Sequence, residues 1–239
     1  MKTPQELLHQ ALEVGECLLP DAPPGGRSAH PTVFVHGLLG WGAQDALYRA
    51  VPYWGLAAGD VLGYLNRCGY DCRAASVGII SSAWDRACEL SGGRADYGIA
   101  HAQHFGHARF GTAYPAPLVP GWGADRPIDL VGHSFGGATA RLLMQLLAHG
   151  CPEEVQAAEA AGETPSPLFT GGKAGWVHAL VAIAAPHDGS TFLDVQPDAA
   201  NALSTLFLGA ARALGISAFK GVYDFRLDQF GIRRDPGAP

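Results

Sequence analysis

One serine of the sequence stands in a setting that suits nucleophilic catalysis. Ser134 is the centre of Gly132-His133-Ser134-Phe135-Gly136, which matches the pattern G-x-S-x-G. In that pattern the serine occupies a sharp turn from a strand into a helix, so that its Oγ projects above the end of the strand. The two glycines leave room for the turn. We therefore predict that Ser134 is a nucleophile for acyl transfer, the alternative being a glycine-rich turn with an incidental serine.

A second segment, about 100 residues upstream, suits the stabilisation of negative charge. His36-Gly37-Leu38 directly follows a short apolar run, as expected for a turn at the end of a strand. Acyl transfer needs main-chain N–H donors aimed at the oxygen on which charge develops. We predict that the N–H groups of Leu38 and Phe135 form this oxyanion hole. The side chain of His36 can simply fill space beside the turn, which is compatible with that prediction.

The segments around these motifs have the patterns of strands and helices. Short runs rich in β-branched, aliphatic or aromatic residues indicate strands, and 177–185 is the best candidate for a buried one. Apolar residues at helical spacing indicate helices, and Gly150 is a suitable end for the one that follows Ser134. Strands that alternate with helices predict an α/β fold with a mostly parallel sheet and helices on both faces. The predicted strands are 32–35, 70–77, 128–131 and 177–185, and the predicted helices are 5–19, 55–68, 138–148, 198–215 and a short one near 153–161.

Three segments lie outside this alternation. Residues 1–30 are predicted to form an amphipathic helix and a Pro/Gly linker, which leaves 31–239 as the core domain. Residues 81–114 are rich in Gly, His and Arg and poor in aliphatic residues, which predicts a loop-rich insertion. The helix 198–215 is apolar around much of its circumference, so it is either a core helix or a segment able to meet lipid.

Composition excludes several classes of protein. The 239 residues fit one domain, and 48% hydrophobic residues argue against disorder. The net charge of −6 without a basic stripe argues against binding to nucleic acid. No stretch of apolar residues is long enough for a transmembrane segment. Because Glu6, Glu13 and Glu16 interrupt the apolar pattern of the N-terminus, we predict no secretory signal in this sequence, which leaves a cytoplasmic location open.

Six blocks of the sequence follow one another in order between about Pro31 and about Pro236. They are His36-Gly37-Leu38-Leu39-Gly40-Trp41-Gly42, Trp84-Asp85-Arg86-Ala87-Cys88-Glu89, Asp96-Tyr97-Gly98-Ile99-Ala100-His101, Gly106-His107-Ala108-Arg109-Phe110-Gly111, Ala185-Pro186-His187-Asp188-Gly189 and Tyr223-Asp224-Phe225 to Arg234. These blocks resemble the zinc-containing thermoalkalophilic lipases, a bacterial family that includes the staphylococcal lipases. That resemblance implies a secreted triacylglycerol lipase with an α/β-hydrolase fold, a structural zinc, a bound calcium in a full-length form, and a helical lid at 198–215. It also implies a lipid or ester substrate met at an oil–water interface.

The resemblance implies roles for individual residues. Ser134 is the nucleophile, with Leu38 and Phe135 at the oxyanion hole. The zinc ligands are Asp85, His101 and His107, one carboxylate and two imidazoles of the kinds that zinc accepts. His101 and His107 are six residues apart and cannot share one helix face, so the segment between them must bend.

Other features of these blocks leave room for alternatives. His104 is a competing zinc ligand, and a histidine-rich loop without metal is the simpler reading. The family usually has Ala-His-Ser-Gln-Gly where this chain has Gly132 and Phe135 as the first and fourth residues. The sequence does not assign a fourth zinc ligand.

The order of the catalytic residues is incomplete in this sequence. The α/β-hydrolase order is Ser, then Asp or Glu, then His, but the last histidine is His187 and the first aspartate after Ser134 is Asp188. Glutamates of 153–163 precede His187 and satisfy the order only formally. The resemblance places the triad acid, the triad base and the calcium ligands after residue 239, and we therefore expect the C-terminal part of the fold to be missing.

Three functions are compatible with these observations. The first is a carboxylic ester hydrolase, similar to triacylglycerol lipases, that acts through a serine acyl-enzyme. The second is a truncated or non-catalytic α/β-hydrolase fragment that binds zinc or lipid. An acyltransferase on the same fold is a third.

Overall fold

A computed structural model describes residues 29–56, 59–114 and 116–189, together with 198, 201, 205, 223–226 and 230. The predicted N-terminal helix and most of its linker lie outside the described residues. So does most of the candidate lid helix 198–215. No helix of the described residues has both the length and the apolar character needed to cross a membrane.

A four-stranded parallel sheet forms the centre of the fold. Its strands are β1 (Thr32–Val35), β2 (Cys72–Ala75), β5 (Ile128–His133) and β6 (Val177–Ile183), in the order β2-β1-β5-β6. Every pair in this sheet is parallel, and β1 pairs with both β2 and β5. The parallel sheet and its four strands are confirmed, with ends that differ by a few residues. Because parallel strands end at one edge, the turns after β1 and β5 come together there.

Helices cover both faces of the sheet, as predicted. On one face, α1 (Val61–Arg67) contributes Leu62 to a cluster with Phe34 of β1. On the other, α2 (Ala83–Leu90) and α4 (Phe135–His149) pack against Val33 and Val35 in the larger core cluster. The alternation of side chains along β1 therefore divides the core into two layers. A further helix, α5 (Pro152–Ala160), follows α4, and Gly150 ends α4 as predicted.

The predicted helix 55–68 begins later than expected. Gly55 and Gly59 both have φ of +112°, a conformation that does not continue into a helix. Asp60 then caps the helix, since its Oδ1 accepts a hydrogen bond from the N–H of Gly63 at 2.9 Å. Apolar residues at helical spacing continue on the N-terminal side of Asp60, so the sequence pattern did not show where the helix begins.

The prediction of a loop-rich segment at 81–114 is wrong. This segment holds α2, α3 (Ile99–Phe105) and an antiparallel pair of short strands, β3 (Arg94–Asp96) and β4 (Phe110–Ala113). The buried residues of α2 include three charged side chains, which a search for apolar periodicity does not recognise as an inward face. They are Asp85, Arg86 and Glu89.

Strand β6 is formed as predicted, but the prediction that it is buried is wrong for most of its length. Val177 is buried, whereas Val181 and Ile183 are 53% and 44% exposed. The reason is its place in the sheet, because β6 is the edge strand among the described strands and pairs only with β5. Its apolar composition resembles that of a central strand and gave no sign of this position.

Candidate active site and metal centre

Ser134 lies at a sharp turn from β5 into α4. Its backbone has φ 52° and ψ −127°, in a region that residues other than glycine rarely occupy. The main-chain N–H of Ser134 donates to the carbonyl oxygen of Ile183 at 2.8 Å, which ties the turn to β6. Such a conformation costs on the order of 1–3 kcal/mol and persists only where the surroundings hold it. The strained strand-to-helix turn expected from the motif is present.

Two glycines of the motif are required by close contacts between main chains. A Cβ atom on Gly132 would lie 2.5 Å from the Cα of Gly137, and one on Gly136 would lie 2.1 Å from the carbonyl oxygen of Val35. Both distances are far below normal van der Waals separation. The glycines therefore allow β5, α4 and the end of β1 to approach one another.

The turn after β1 packs directly against Ser134. A Cβ atom on Gly37 would lie 3.0 Å from the Cβ of Ser134. Among the described residues, the main-chain N–H groups of Leu38 and Phe135 have no hydrogen-bond acceptor. The structure thus brings the two predicted oxyanion donors to the same end of the sheet as the predicted nucleophile.

The side chain of His36 fills space beneath this turn. It is fully buried, its Nδ1 lies 2.8 Å from the carbonyl oxygen of Gly37, and its Nε2 accepts from the N–H of Val77 at 3.4 Å. Burial lowers the pKa of His36 to about 3, and the positive charge of Arg86 contributes in the same direction. His36 is therefore a neutral packing residue at physiological pH.

Tyr53 joins the two turns, although no pattern in the sequence indicates a role for it. Its hydroxyl accepts from the N–H of Gly37 at 3.1 Å and lies 2.7 Å from Nδ1 of His133. The hydroxyl of Tyr53 thus forms one hydrogen bond to the turn after β1 and one to the turn at Ser134. Tyr53 lies 80 residues from His133 in sequence, so no local motif connects them.

The three predicted metal ligands also come together. Asp85 is on α2, His101 is on α3, and His107 directly follows Gly106, whose φ of 66° ends α3. One ligand atom from each residue lies within 4.8 Å of the others. The Nε2 atoms of His101 and His107 are 3.2 and 3.6 Å from Oδ1 of Asp85. The bend expected between the two histidines is supplied by Gly106, and the competing His104 is not part of the cluster.

The chemistry of this donor set fits a metal ion. Nδ1 of His107 lies 2.8 Å from the carbonyl oxygen of Ala108 and so carries the proton, which leaves Nε2 with a free lone pair. That Nε2 is buried without a hydrogen-bond partner among the described residues. A buried polar atom without a partner is costly, and a cation held by Asp85 and the two imidazoles would satisfy it.

Glu154 supports the candidate metal centre from α5. Its carboxylate accepts hydrogen bonds from the N–H of Ala100 at 3.0 Å and of His101 at 2.7 Å, at the start of α3. Trp84 stacks on the ring of His101 with 5.0 Å between centroids. Burial lowers the pKa of His101, and Asp85 opposes that shift. The sequence gave no sign of these supporting contacts, because Glu154 is more than 50 residues from the residues it orients.

Two of the glutamates that precede His187 in sequence have other partners. Glu154 holds α3, and Glu163 forms a 2.6 Å ion pair with Arg109. His187 follows β6 on the exposed surface. Neither of these two carboxylates is thus paired with His187, and the structure does not support an acid–base pair built from them.

With this geometry established, comparison with known proteins identifies the family. The family model described as "Lipase-like, C-terminal domain" matches residues 28–238. The chain belongs to this family. The resemblance to staphylococcal lipases and the α/β-hydrolase fold are thereby confirmed.

Among curated proteins, lipase 2 of Staphylococcus aureus is 37% identical over 211 residues, which cover 87% of this chain and 30% of that protein. The lipase of Staphylococcus hyicus is 33% identical over 219 residues, or 90% of this chain and 33% of that protein. The chain thus spans about a third of the length of these relatives.

Solved structures agree with this assignment. Lipase 1 from Pelosinus fermentans superposes with a TM-score of 0.69 at 42% identity, over 88% of this chain and 55% of that one. The structure of Staphylococcus hyicus lipase gives a TM-score of 0.78 at 32% identity, over 92% and 56%. EstA from Clostridium botulinum gives 0.72 at 34% identity, over 99% and 60%.

Proposed function

We propose that this chain carries the nucleophile and the oxyanion hole of a carboxylic ester hydrolase similar to triacylglycerol lipases. The observation that carries the proposal is the packing of the Gly37-Leu38 turn against Ser134, whose backbone has the strained conformation of a nucleophile turn. Ser134 is the nucleophile, and the N–H groups of Leu38 and Phe135 are the oxyanion donors. Membership of a lipase-like family supports the same chemistry.

In this reaction Oγ of Ser134 attacks the carbonyl carbon of the ester. Its proton passes to a base and then to the departing alkoxide, which leaves an acyl-enzyme that water hydrolyses by the reverse route. The carbonyl oxygen gains negative charge in both steps, and each main-chain N–H that binds it is worth roughly 3–4 kcal/mol. We assign no residue of this chain as the base.

The proposed substrates are lipid esters at an oil–water interface, acted on outside the cell. The names of the relatives support this class, since they are lipases. The surface near the turns is also apolar, because Leu38 is 48% exposed and Ile183 is 44% exposed. We retain 31–239 as the hydrolase unit, 81–114 as its metal-binding insertion and 198–215 as its lid within the same proposal.

We also propose that Asp85, His101 and His107 bind zinc. Two imidazoles and a carboxylate are ligands that zinc accepts. When bound, the ion would supply a cross-link between α2, α3 and the segment after α3. Calcium is an expectation of the resemblance alone, and no residue of this chain is assigned to it.

A fluorophosphonate probe tests the nucleophile. We expect the folded chain to be labelled at Ser134, as located by peptide mass analysis, and Ser134→Ala to remain unlabelled. We expect the same chain in denaturant to react at least tenfold more slowly, because the oxyanion donors act only in the folded structure. Equal labelling of folded and denatured chains would favour the second hypothesis, a non-catalytic fragment that binds zinc or lipid.

A zinc titration of metal-free protein, followed by calorimetry and elemental analysis, tests the metal centre. We expect one ion per chain, and we expect His107→Ala to abolish that binding. His104→Ala is the matched control, since His104 lies outside the cluster. Equal zinc binding by the His107 variant and the wild type would contradict the assignment.

A further inference from the structure

One fully buried cation lies beneath the proposed oxyanion hole and has no part in the chemistry described above. Arg86 is on α2, next to Asp85, and is among the largest side chains with almost no exposure. Burial lowers the pKa of its guanidinium to about 10, a shift that nearby Glu89 opposes, so the group is charged at neutral pH. Burying a charged group costs desolvation free energy unless its hydrogen-bond donors have acceptors.

Two nitrogens of the Arg86 guanidinium donate hydrogen bonds to the turn after β1. Nη2 donates to the carbonyl oxygen of His36, and Nη1 donates to that of Gly37 at 3.3 Å. Nη1 also donates to the carbonyl oxygen of Gly78 at 3.0 Å. Arg86 thus ties two consecutive carbonyl groups of the turn to a neighbouring segment.

The same guanidinium contacts the nucleophile turn. Nε of Arg86 donates to Oγ1 of Thr139 at 3.1 Å, and that hydroxyl donates to the carbonyl oxygen of Phe135 at 2.9 Å. The guanidinium also lies over the ring of Phe135, 5.2 Å from its centroid. One side chain therefore contacts both segments that carry the proposed oxyanion donors.

The hydrogen bond from Arg86 to the carbonyl oxygen of Gly37 also determines the direction of the Leu38 N–H. In a trans peptide the carbonyl oxygen of one residue and the N–H of the next point in opposite directions within one plane. When Arg86 binds the oxygen of Gly37, the N–H of Leu38 must therefore point away from Arg86. The planar fork of arginine suits this task, because it binds several acceptors at fixed angles, whereas lysine is a point charge.

We propose that Arg86 is a positioning residue that fixes the direction of the Leu38 N–H and its separation from the Phe135 N–H, so that the oxyanion hole is formed before substrate binds. This inference rests on the proposed function for its catalytic consequence. Its structural part concerns only the turn after β1 and can be tested without any reaction.

The test compares Arg86→Lys with Leu146→Ala in the whole chain. Leu146 is a buried residue of α4 in the main core cluster, and its truncation lowers stability by removing apolar contacts. The first measurement is hydrogen exchange at the amides of Leu39 and Gly40, which donate to the carbonyl oxygens of Ile79 and Gly37. We expect at least tenfold faster exchange at these two amides in Arg86→Lys, and less than threefold in Leu146→Ala.

The second measurement is fluorophosphonate labelling of Ser134, with the limiting rate separated from probe affinity. We expect Arg86→Lys to lower the limiting rate by 10- to 100-fold with little change in affinity, while Leu146→Ala stays within twofold. Should the wild type remain unlabelled, the proposed function fails, whereas the exchange result still decides the role of Arg86.

Equal exchange at Leu39 and Gly40 in both variants would overturn the proposal, since Arg86 would then contribute only to general stability. If Arg86→Lys does not fold, Thr139→Val replaces it, because this nearly isosteric change removes the link from Arg86 to Phe135. We expect that variant to show slower labelling, by at least threefold, at unchanged probe affinity. Labelling at the wild-type rate would then contradict the proposal.

Discussion

The two candidate sites of this protein are built in opposite ways. The site at Ser134 consists mainly of main chain: a left-handed φ, glycines that permit close approach, and N–H groups that have no acceptor in the described part of the chain. The metal centre consists of three side-chain donors from separate segments. Changes that add atoms to the backbone should therefore damage the first site, while loss of one donor atom should damage the second.

The metal centre gives the largest expected effect. For a zinc site saturated about 1,000-fold above its dissociation constant, removal of the ion costs about 4 kcal/mol of folding free energy. For a domain of this size that corresponds to a fall in Tm of roughly 10 °C. Thermal unfolding with and without a chelator measures it, with His104→Ala as a variant that should keep the full response. An unchanged Tm after chelation would contradict a structural metal.

Gly136→Ala should disrupt the site at Ser134 without affecting the candidate metal centre. The added Cβ would meet the carbonyl oxygen of Val35 at 2.1 Å, so the start of α4 and the end of β1 must move apart. We expect a loss of ~3 kcal/mol in urea unfolding, with zinc stoichiometry retained. Gly175→Ala is the matched control, since no atom lies within 4 Å of its Cβ position. Similar stability of the two variants would show that the contact can relax.

Lowering the pH should reduce the stability of the protein through His36, which is buried beneath the turn after β1. Its folded pKa of about 3 lies below the value of 6.5 for an exposed histidine, so protons bind more tightly to the unfolded chain. This contribution to stability is present above about pH 6.5 and is lost as pH falls toward 3. The positive charges of Arg86 and Arg226 act in the same direction.

At pH 5 the expected loss from His36 is about 2 kcal/mol, at about 1.4 kcal/mol per pH unit. The measurement is the free energy of unfolding at several pH values. His36→Gln should flatten the dependence between pH 6.5 and 4, whatever its stability at pH 7. A slope identical to that of the wild type would rule out His36 as its source.

The smallest of these effects concerns Tyr53. Tyr53→Phe removes the hydroxyl that accepts from the Gly37 N–H and is hydrogen-bonded to Nδ1 of His133, and we expect a loss of ~1 kcal/mol in stability. Labelling of Ser134 should also become slower, even under conditions where the variant is fully folded. The reason is that the turn after β1 is then held less firmly beside Ser134. Zinc binding should be unchanged. An altered zinc affinity would show that the two sites are less separate than their construction suggests.

The sequence predicted the parts of the fold that depend on short-range patterns. The strand–turn–helix at Ser134 lies within one stretch of chain, so its glycines and apolar flanks were sufficient to predict it. The three candidate metal ligands were predicted from the resemblance, because residues on α2, on α3 and after α3 meet only in the folded chain. Their spacing alone could not show that they converge.

The errors have a common physical cause. The helix α2 was missed because its buried face carries Asp85, Arg86 and Glu89, whose burial depends on hydrogen bonds and charges from distant residues. The exposure of β6 was missed because an apolar strand at a sheet edge has the same composition as a central one. Tyr53 and Glu154 were missed because their partners are far away in sequence.

The adjacency of Asp85 and Arg86 on α2 has a practical consequence. One residue faces the metal centre and the next contacts both turns at Ser134, so a shift of α2 would move both together. Loss of the ion should therefore slow the labelling of Ser134 through the geometry of the turns, although none of the three candidate metal ligands belongs to the proposed oxyanion hole. Slower labelling after chelation and slower labelling in Arg86→Lys would then have the same structural cause.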